Sequence, residues 1–215
     1  MLIIGTGGLA SDILSSFQFD EGFDDLCFYN DTEIPSKEYI KKNYRILTSL
    51  AEAKEYFKKN DSRFIVGIGD NITREKIAEK FETLGGVNSN YISTRALVGK
   101  YVFIDKTGVI ILHHAAIGNG CSIGRGSIIY TNASLGHGSV IGEYVLVSGN
   151  VCMSDTTIGK FSTIGIGASF KPGVIIAGYS FVGVGSVVTK NIDTSYLIAG
   201  NPGRAIKKIV SQENL

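Results

Sequence analysis

Along the second half of the chain one aliphatic residue returns every six positions. Ile117, Ile123, Ile129, Leu135, Ile141 and Val147 keep that spacing, and after one break it resumes at Ile158, Ile164, Phe170, Ile176, Val182 and Val188. Val98, Ile104 and Ile110 extend the pattern upstream, with a slip of one residue between Ile110 and Ile117. Glycine follows the aliphatic residue at positions 118, 124, 136, 142, 159, 165 and 183, and small residues such as Ser122, Ala133 and Ser186 recur a few places on. A helix repeats every 3.6 residues and an amphipathic strand every two, so neither fits. A hexapeptide repeat matches one flat side of a triangular solenoid, with three sides to a coil. Such a coil hides its aliphatic and corner residues only when neighbours stack on it. The pattern predicts a β-prism over residues 91–215, ending in a tail.

Residues 1–90 follow another rhythm. Leu2–Gly5 reads as a buried strand, and Gly5-Thr6-Gly7-Gly8 as a tight turn opening a helix that runs to about Phe17. Leu26–Tyr29 is a second strand, ending at Asn30-Asp31. Ser49 and Glu52 form a capping box for a helix to about Lys59. Arg63–Gly67 is a further strand, followed by Gly69-Asp70-Asn71 and a helix from about Ile72 to Leu84. Strands alternating with helices predict a small, Rossmann-like parallel α/β domain. Its roughly 90 residues leave too few strands for both halves of a dinucleotide fold. Gly85-Gly86 and Asn88-Ser89-Asn90 mark the linker. The tail, Asn191 through Pro202 to Leu215, reads as turns with a short basic stretch at Arg204, Lys207 and Lys208.

Charge and cysteine content remove several function classes. Lys and Arg number 21 against 20 Asp and Glu, a net charge of +1, which argues against nucleic acid as a partner. No polybasic run suggests a membrane surface, and no stretch reaches the roughly 18 apolar residues of a membrane span. The first residues lack a basic leader, so a cytoplasmic protein is expected. Cys27, Cys121 and Cys152 form no CxxC pair and sit in apolar surroundings, which predicts reduced thiols in the core.

Two places offer chemistry. The Gly5–Gly8 turn, between a strand and a helix, presents backbone N–H groups to an anion. Asp31 follows Gly8 by 23 residues, the distance at which an acid recognises ribose or base. A plain glycine turn is the alternative. His is scarce, at positions 113, 114 and 137. His137 falls at a hexad turn, where side chains point away from the prism. An imidazole titrates near neutrality and can act there as a general base, or be an exposed residue without a role. His113 and His114, at the slip in the repeat, read as structural. No H-x4-H spacing connects the histidines, so no metal site is expected.

The GxGG turn, the hexads and the closing Ala199-Gly200-Asn201-Pro202-Gly203-Arg204 together resemble the sialic acid O-acetyltransferase family, which includes N-acetyltransferases of UDP-4-amino sugars. The resemblance spans essentially the whole chain. It implies a left-handed parallel β-helix behind the α/β domain, assembled as a homotrimer. It also implies acetyl-CoA in the groove between adjacent β-helices and a nucleotide-sugar acceptor on the α/β domain. A histidine at a coil turn takes the acceptor proton, and His137-Gly138-Ser139-Val140-Ile141-Gly142 is the matching segment. This chain departs from the family at three points. Gly138 stands where Asp or Glu usually follows the histidine, Leu146 where a second His often lies, and Leu9 where the GxGG turn often continues with His. The partner that orients His137 must then come from elsewhere, with Glu143 and Asp155 as candidates.

The implied acceptor site is Gly5, Thr6, Gly7, Gly8, Asn30, Asp31, Gly69 and Asp70. The implied acetyl-CoA site is Gly149, Gly165, Ala168, Gly183, Ser186, Gly200, Arg204 and Lys207, with the amide of Gly149 or Gly165 facing the oxyanion. The expected reaction is N-acetylation of a nucleotide-linked 4-amino-4,6-dideoxy sugar for surface glycans. O-acetylation of a sialic-acid-like sugar and a non-catalytic β-helix binding subunit are the alternatives.

Overall fold

A computed structural model describes residues 1–18, 20, 25–32 and 36–209, and structural statements concern these residues. The end of the tail, 210–215, lies outside them.

The first unit is a parallel sheet of β1 (Leu2–Ile4), β2 (Cys27–Tyr29), β3 (Arg45–Leu47), β4 (Arg63–Val66) and β5 (Val87–Asn88), in the order β3-β2-β1-β4-β5. Its helices are α1 (Gly8–Phe17), α2 (Glu38–Asn43), α3 (Leu50–Lys59) and α4 (Asn71–Thr83). The strands β1 and β2 are buried along their whole length because helices cover both sheet faces, which explains their unbroken apolar sequence. The Ser49–Glu52 capping box is present and starts α3. The segments α2 and β3 escape the sequence pattern, since Tyr44, Arg45 and Ile46 leave only Leu47 fully inside. Val87–Asn88 is the edge strand β5 and not linker, paired with Arg63–Phe64.

The second unit is a three-sided parallel β-prism of two-residue rungs. The first face stacks Leu97–Val98, Ala116–Ile117, Ser134–Leu135, Cys152–Met153, Ser169–Phe170 and Val187–Val188. The second face stacks Phe103–Ile104, Ser122–Ile123, Val140–Ile141, Thr157–Ile158 and Ile175–Ile176. The third carries Tyr91–Ile92, Ile110–Ile111, Ile128–Ile129, Leu146–Val147, Thr163–Ile164 and Phe181–Val182, and then Tyr196–Ala199. The hexad aliphatics from Ile117 onward fill the interior, each worth roughly 1.5–3 kcal/mol of burial.

Several expectations need correction. The inward residue of the third-face doublet is Ile111, whereas Ile110 packs against the α/β unit. The slip therefore lies between Ile104 and Ile111, at the turn through Gly108. Met153 fills the later break, followed by a step of only five residues to Ile158. Val98, at the open end of the prism, stays 38% exposed. The buried corner position is Cys121 and not Ser122, which sits half-buried on a rung. Cys27 and Cys121 are buried, but Cys152 is exposed because the first residue of each first-face rung points outward. The tail is an antiparallel hairpin of Tyr196–Ala199 with Arg204–Lys208, not a run of turns.

The α/β unit sits on the third face. Ile13, Leu14 and Phe17 of α1 share one apolar cluster with Ile110, Leu112 and Ile128. Beyond α1, the Asp20 carboxylate accepts hydrogen bonds from Tyr91 Oη at 2.6 Å, Ser93 Oγ, and the amide and hydroxyl of Thr94. Burial works against that charge, yet these donors hold the carboxyl below its ordinary pKa.

Candidate active site

The sheet order reverses at β1: the chain winds through β2 and β3 on one side, then through β4 and β5 on the other. In parallel sheets the crevice at such a switch point, outside the carboxyl ends of the strands, is the usual ligand position. A cavity of about 370 Å³ lies there, and it brings together Gly5, Thr6, Gly7, Gly8, Asn30, Asp31 and Gly69. Gly5 has φ +102° and donates its N–H to Tyr29 O at 2.9 Å, a left-handed conformation that favours glycine. Gly7 is the N-cap of α1 and has no side-chain cap, and the first turn of α1 carries no acid. The initial N–H groups of α1 and the positive end of its dipole therefore await an anion.

Asp31 accepts a hydrogen bond from Tyr29 Oη at 2.8 Å. Burial, and then this carboxylate, raise the Tyr29 phenol above its ordinary pKa. Asp70 differs from expectation. It caps α4 by accepting from Thr73 N at 2.8 Å and is not part of the cavity lining. Hydrogen bonding by the Thr73 side chain, and then by its amide, keeps the carboxyl below the usual range. Sequence reasoning missed Tyr29, Gly67, Ile68, Thr73 and Ile77, which also line the cavity. Gly67 carried a readable signal, because it directly follows β4. A Cβ there would meet Ala10 Cβ at 2.9 Å, so glycine allows α1 to close on the strand end.

Beneath the cavity lies a buried guanidinium. Arg74, 2% exposed, donates to the carbonyls of Ile68 and Gly69 on the cavity rim and to Asn71 Oδ1. It also donates to the carbonyls of Gly126 and Tyr144 on the prism. Asn71 Nδ2 adds bonds to Ser162 O and Thr163 Oγ1. Burial lowers the Arg74 pKa to about 10, so it remains charged at neutral pH.

His137 is exposed on the edge between the first and second faces. Gly118 makes room for it, since a Cβ there would lie 2.9 Å from His137 N. An open cavity of about 420 Å³ on the first face runs along Leu97, Ala116 and Ser134 to Gly136, next to His137. Asp155 lies on the same edge, one coil further, and donates its N–H to His137 O at 2.8 Å. Glu143 lies on the second–third edge, in a cluster with Lys160, Phe161 and Tyr179. His113 is held against α1, its Nδ1 3.1 Å from Ser16 Oγ, and burial lowers its pKa. Among the described residues no group of three or more His, Cys, Asp or Glu side chains is placed to hold a metal ion.

The glycines expected along the coenzyme line up on the third–first edge. Gly149, Gly165 and Gly183 follow third-face rungs in successive coils, and Gly200 opens the hairpin. Ile166 and Val184, exposed between them, add an apolar strip that the glycine pattern does not reveal. Ala168 and Ser186 are fully buried and point into the prism, so their side chains are closed to a ligand. The Gly165 N–H is committed to Val182 O at 2.7 Å and cannot serve an oxyanion. Arg204 and Lys207 are exposed on the hairpin strand.

Comparison with known proteins bears on these features. Residues 1–81 match the family model described as the PglD N-terminal domain. The fold is similar to the acetyltransferase domain of PglB from Neisseria gonorrhoeae, solved also with acetyl coenzyme A. The TM-score is 0.84 at 22% identity, covering 95% of this chain and 98% of that one. It is similar to PerB from Caulobacter crescentus in complex with CoA and GDP-perosamine, with TM-score 0.83, 26% identity and 96% of both chains covered. Variants of that perosamine N-acetyltransferase with a histidine replaced by alanine or asparagine also hold CoA and GDP-perosamine. WeeI from Acinetobacter baumannii matches with TM-score 0.79 and 23% identity over 95% of this chain and 98% of that one. The Saccharomyces cerevisiae protein YJL218W, named as an acetyltransferase, is 41% identical over 58 residues. That segment is 27% of this chain and spans only 30% of the yeast protein. The architecture, a small parallel α/β unit followed by a β-helix, is shared with these solved acetyltransferase structures.

Proposed function

We propose, from a chain that joins a PglD N-terminal domain to the β-helix of hexapeptide-repeat acetyltransferases, that this protein transfers acetyl from acetyl-CoA to the amine of a nucleotide-linked 4-amino sugar in glycan assembly. The observation that carries the reading is the cavity at the β1/β4 switch point, with an uncapped helix N-terminus for a diphosphate and Asp31 at its far side. A free sugar would need neither. His137 acts as general base. As the amine nitrogen attacks the thioester carbonyl, its proton passes to the imidazole and the C–S bond breaks. The departing CoA thiolate then takes up a proton, with Gly149 N–H facing the oxyanion. The glycine edge receives the pantetheine arm, and Arg204 and Lys207 meet the CoA phosphates.

One chain does not assemble this site. The acceptor cavity belongs to the unit covering the third face, whereas His137 lies on the opposite edge and the glycine row on another. Copies packed side by side bring these edges together, so the active form is a homotrimer with sites between subunits. A cytoplasmic location goes with this reading. Assaying CoA thiol release with acetyl-CoA and UDP-, GDP- and dTDP-linked 4-amino sugars tests it, with sedimentation at assay concentrations expected to give three chains. Turnover of none of these acceptors, or a fully active monomer, would sink it.

Gly7 gives a sharper test of the acceptor cavity. Nothing lies within 4 Å of a Cβ built on it, and its backbone is extended. Gly7→Val is therefore expected to fold normally and to raise the acceptor KM by roughly tenfold or more, because the branched side chain blocks close approach to the backbone amides. The KM for acetyl-CoA should stay unchanged. Equal loss for both substrates would reduce the turn to a structural part.

A further inference from the structure

We infer that Asp155 is the positioning residue for His137, supplying from the next coil the carboxylate that Gly138 lacks. The inference rests on His137 being the base. Three observations meet at this edge. A Cβ built on Gly138 would lie only 3.3 Å from Asp155 Oδ1, so the Asp155 carboxylate already occupies the space that a side chain at 138 would enter. The backbones are locked together, Asp155 N donating to His137 O at 2.8 Å and Gly173 N to Asp155 O at 2.8 Å.

The third observation is conformational. Gly120, Gly138 and Gly173 hold the left-handed position of this edge, with φ between +67° and +84°. Asp155 holds it in its own coil with φ +49°. A residue with a Cβ gives up roughly 1–2 kcal/mol in that conformation relative to glycine, somewhat less for Asp. Other corners of the prism hold the same conformation with side chains at Asn132, Tyr144, Asn150, Phe161 and Tyr179, so at Asp155 it fixes the direction in which the carboxylate projects. The five-residue step from Met153 to Ile158 is what sets Asp155 across from Gly138.

The arrangement has a chemical consequence. A carboxylate beside the imidazole favours the imidazolium formed during proton transfer and fixes the tautomer of the neutral ring. The other charged side chains along this edge, among the described residues, are Lys100, Lys171 and Lys190, all cationic and so unable to replace it. Asp at both 138 and 155 would put two carboxylates in contact, so the two positions exclude each other. That exclusivity accounts for glycine at 138.

The test combines kinetics with a direct titration of the ring. In Asp155→Asn, kcat should fall tenfold or more with both KM values kept. The nitrogen NMR signals of the His137 ring, which report which ring nitrogen carries the proton, should show a changed tautomer balance in the same variant, a readout that does not depend on which acceptor is turned over. Asp155→Gly should be at least as stable as wild type, since it relieves the strained φ, yet lose the same activity, which separates positioning from folding. Adding Gly138→Asp to Asp155→Gly, which vacates that space, should restore part of kcat, whereas Gly138→Asp alone should lower it. Unchanged His137 ring signals in Asp155→Asn overturn the inference. Changed ring signals in a protein that acetylates no amino sugar uphold the pairing and overturn the enzymatic reading instead.

Discussion

His137→Ala is expected to lower kcat by roughly 10²–10⁴-fold while acetyl-CoA and the acceptor still bind, the loss that follows removal of a general base. Its imidazole is exposed on an outer edge of the prism, so its removal should leave stability within about 0.5 kcal/mol of wild type. The rate of kcat/KM should lose its acid limb in the variant. An acceptor amine titrates as well, so the comparison with wild type at each pH identifies the limb that belongs to the ring. His113→Ala provides the contrast. That ring rests on Ser16 at the junction with α1, and its loss should affect stability more than turnover. If His137→Ala keeps wild-type kcat and pH dependence, the base is another group, and the glycine edge and acceptor cavity must be joined by a different residue.

Much of this architecture is legible in the sequence because the repeat fixes which residues face inward. Where it misleads, the reason is local. Ile110-Ile111 is an apolar doublet whose two members are buried on opposite sides, one in the prism and one against α1, and periodicity alone does not say which is which. Ala168 and Ser186 follow the glycines expected at the coenzyme, but small residues at that hexad position turn into the prism. The acceptor cavity was readable as far as its backbone is special, at Gly5 through Gly8. Asp70 was not, since the same residue type serves as a helix cap and as a ligand contact. The partnership of Gly138 with Asp155 depends on one shortened coil, a three-dimensional register that a missing carboxylate only hints at.

Arg74 carries the second large effect. Its guanidinium directs five hydrogen bonds at Ile68 O, Gly69 O, Asn71 Oδ1, Gly126 O and Tyr144 O, all between 2.9 and 3.0 Å. Among the described residues no carboxylate forms an ion pair with it, so its charge is compensated mainly by carbonyl dipoles, with Tyr144 offering its ring at 6.0 Å and Asp70 adding a more distant negative charge. Taking this charge out of water is unfavourable, and replacing it by a small residue removes that burden. The truncation also strands two buried carbonyls, Gly126 O and Tyr144 O, each costing about 1–3 kcal/mol when left without a donor, leaves two partly buried ones on the cavity rim, and opens a cavity. The second effect exceeds the first, and Arg74→Ala is expected to destabilise by roughly 3–5 kcal/mol. At about 2–4 °C per kcal/mol for a chain of this size, Tm should fall by roughly 10 °C. Arg74→Lys should recover only part of this, since an ammonium has three donors and cannot span both units. Because two of the carbonyls belong to the rim of the acceptor cavity and two to the prism, hydrogen exchange should rise first at the N-terminal turn of α4 and around Gly126. A Tm within 2 °C of wild type for Arg74→Ala would show that the apolar contacts of α1 hold the two units together without it.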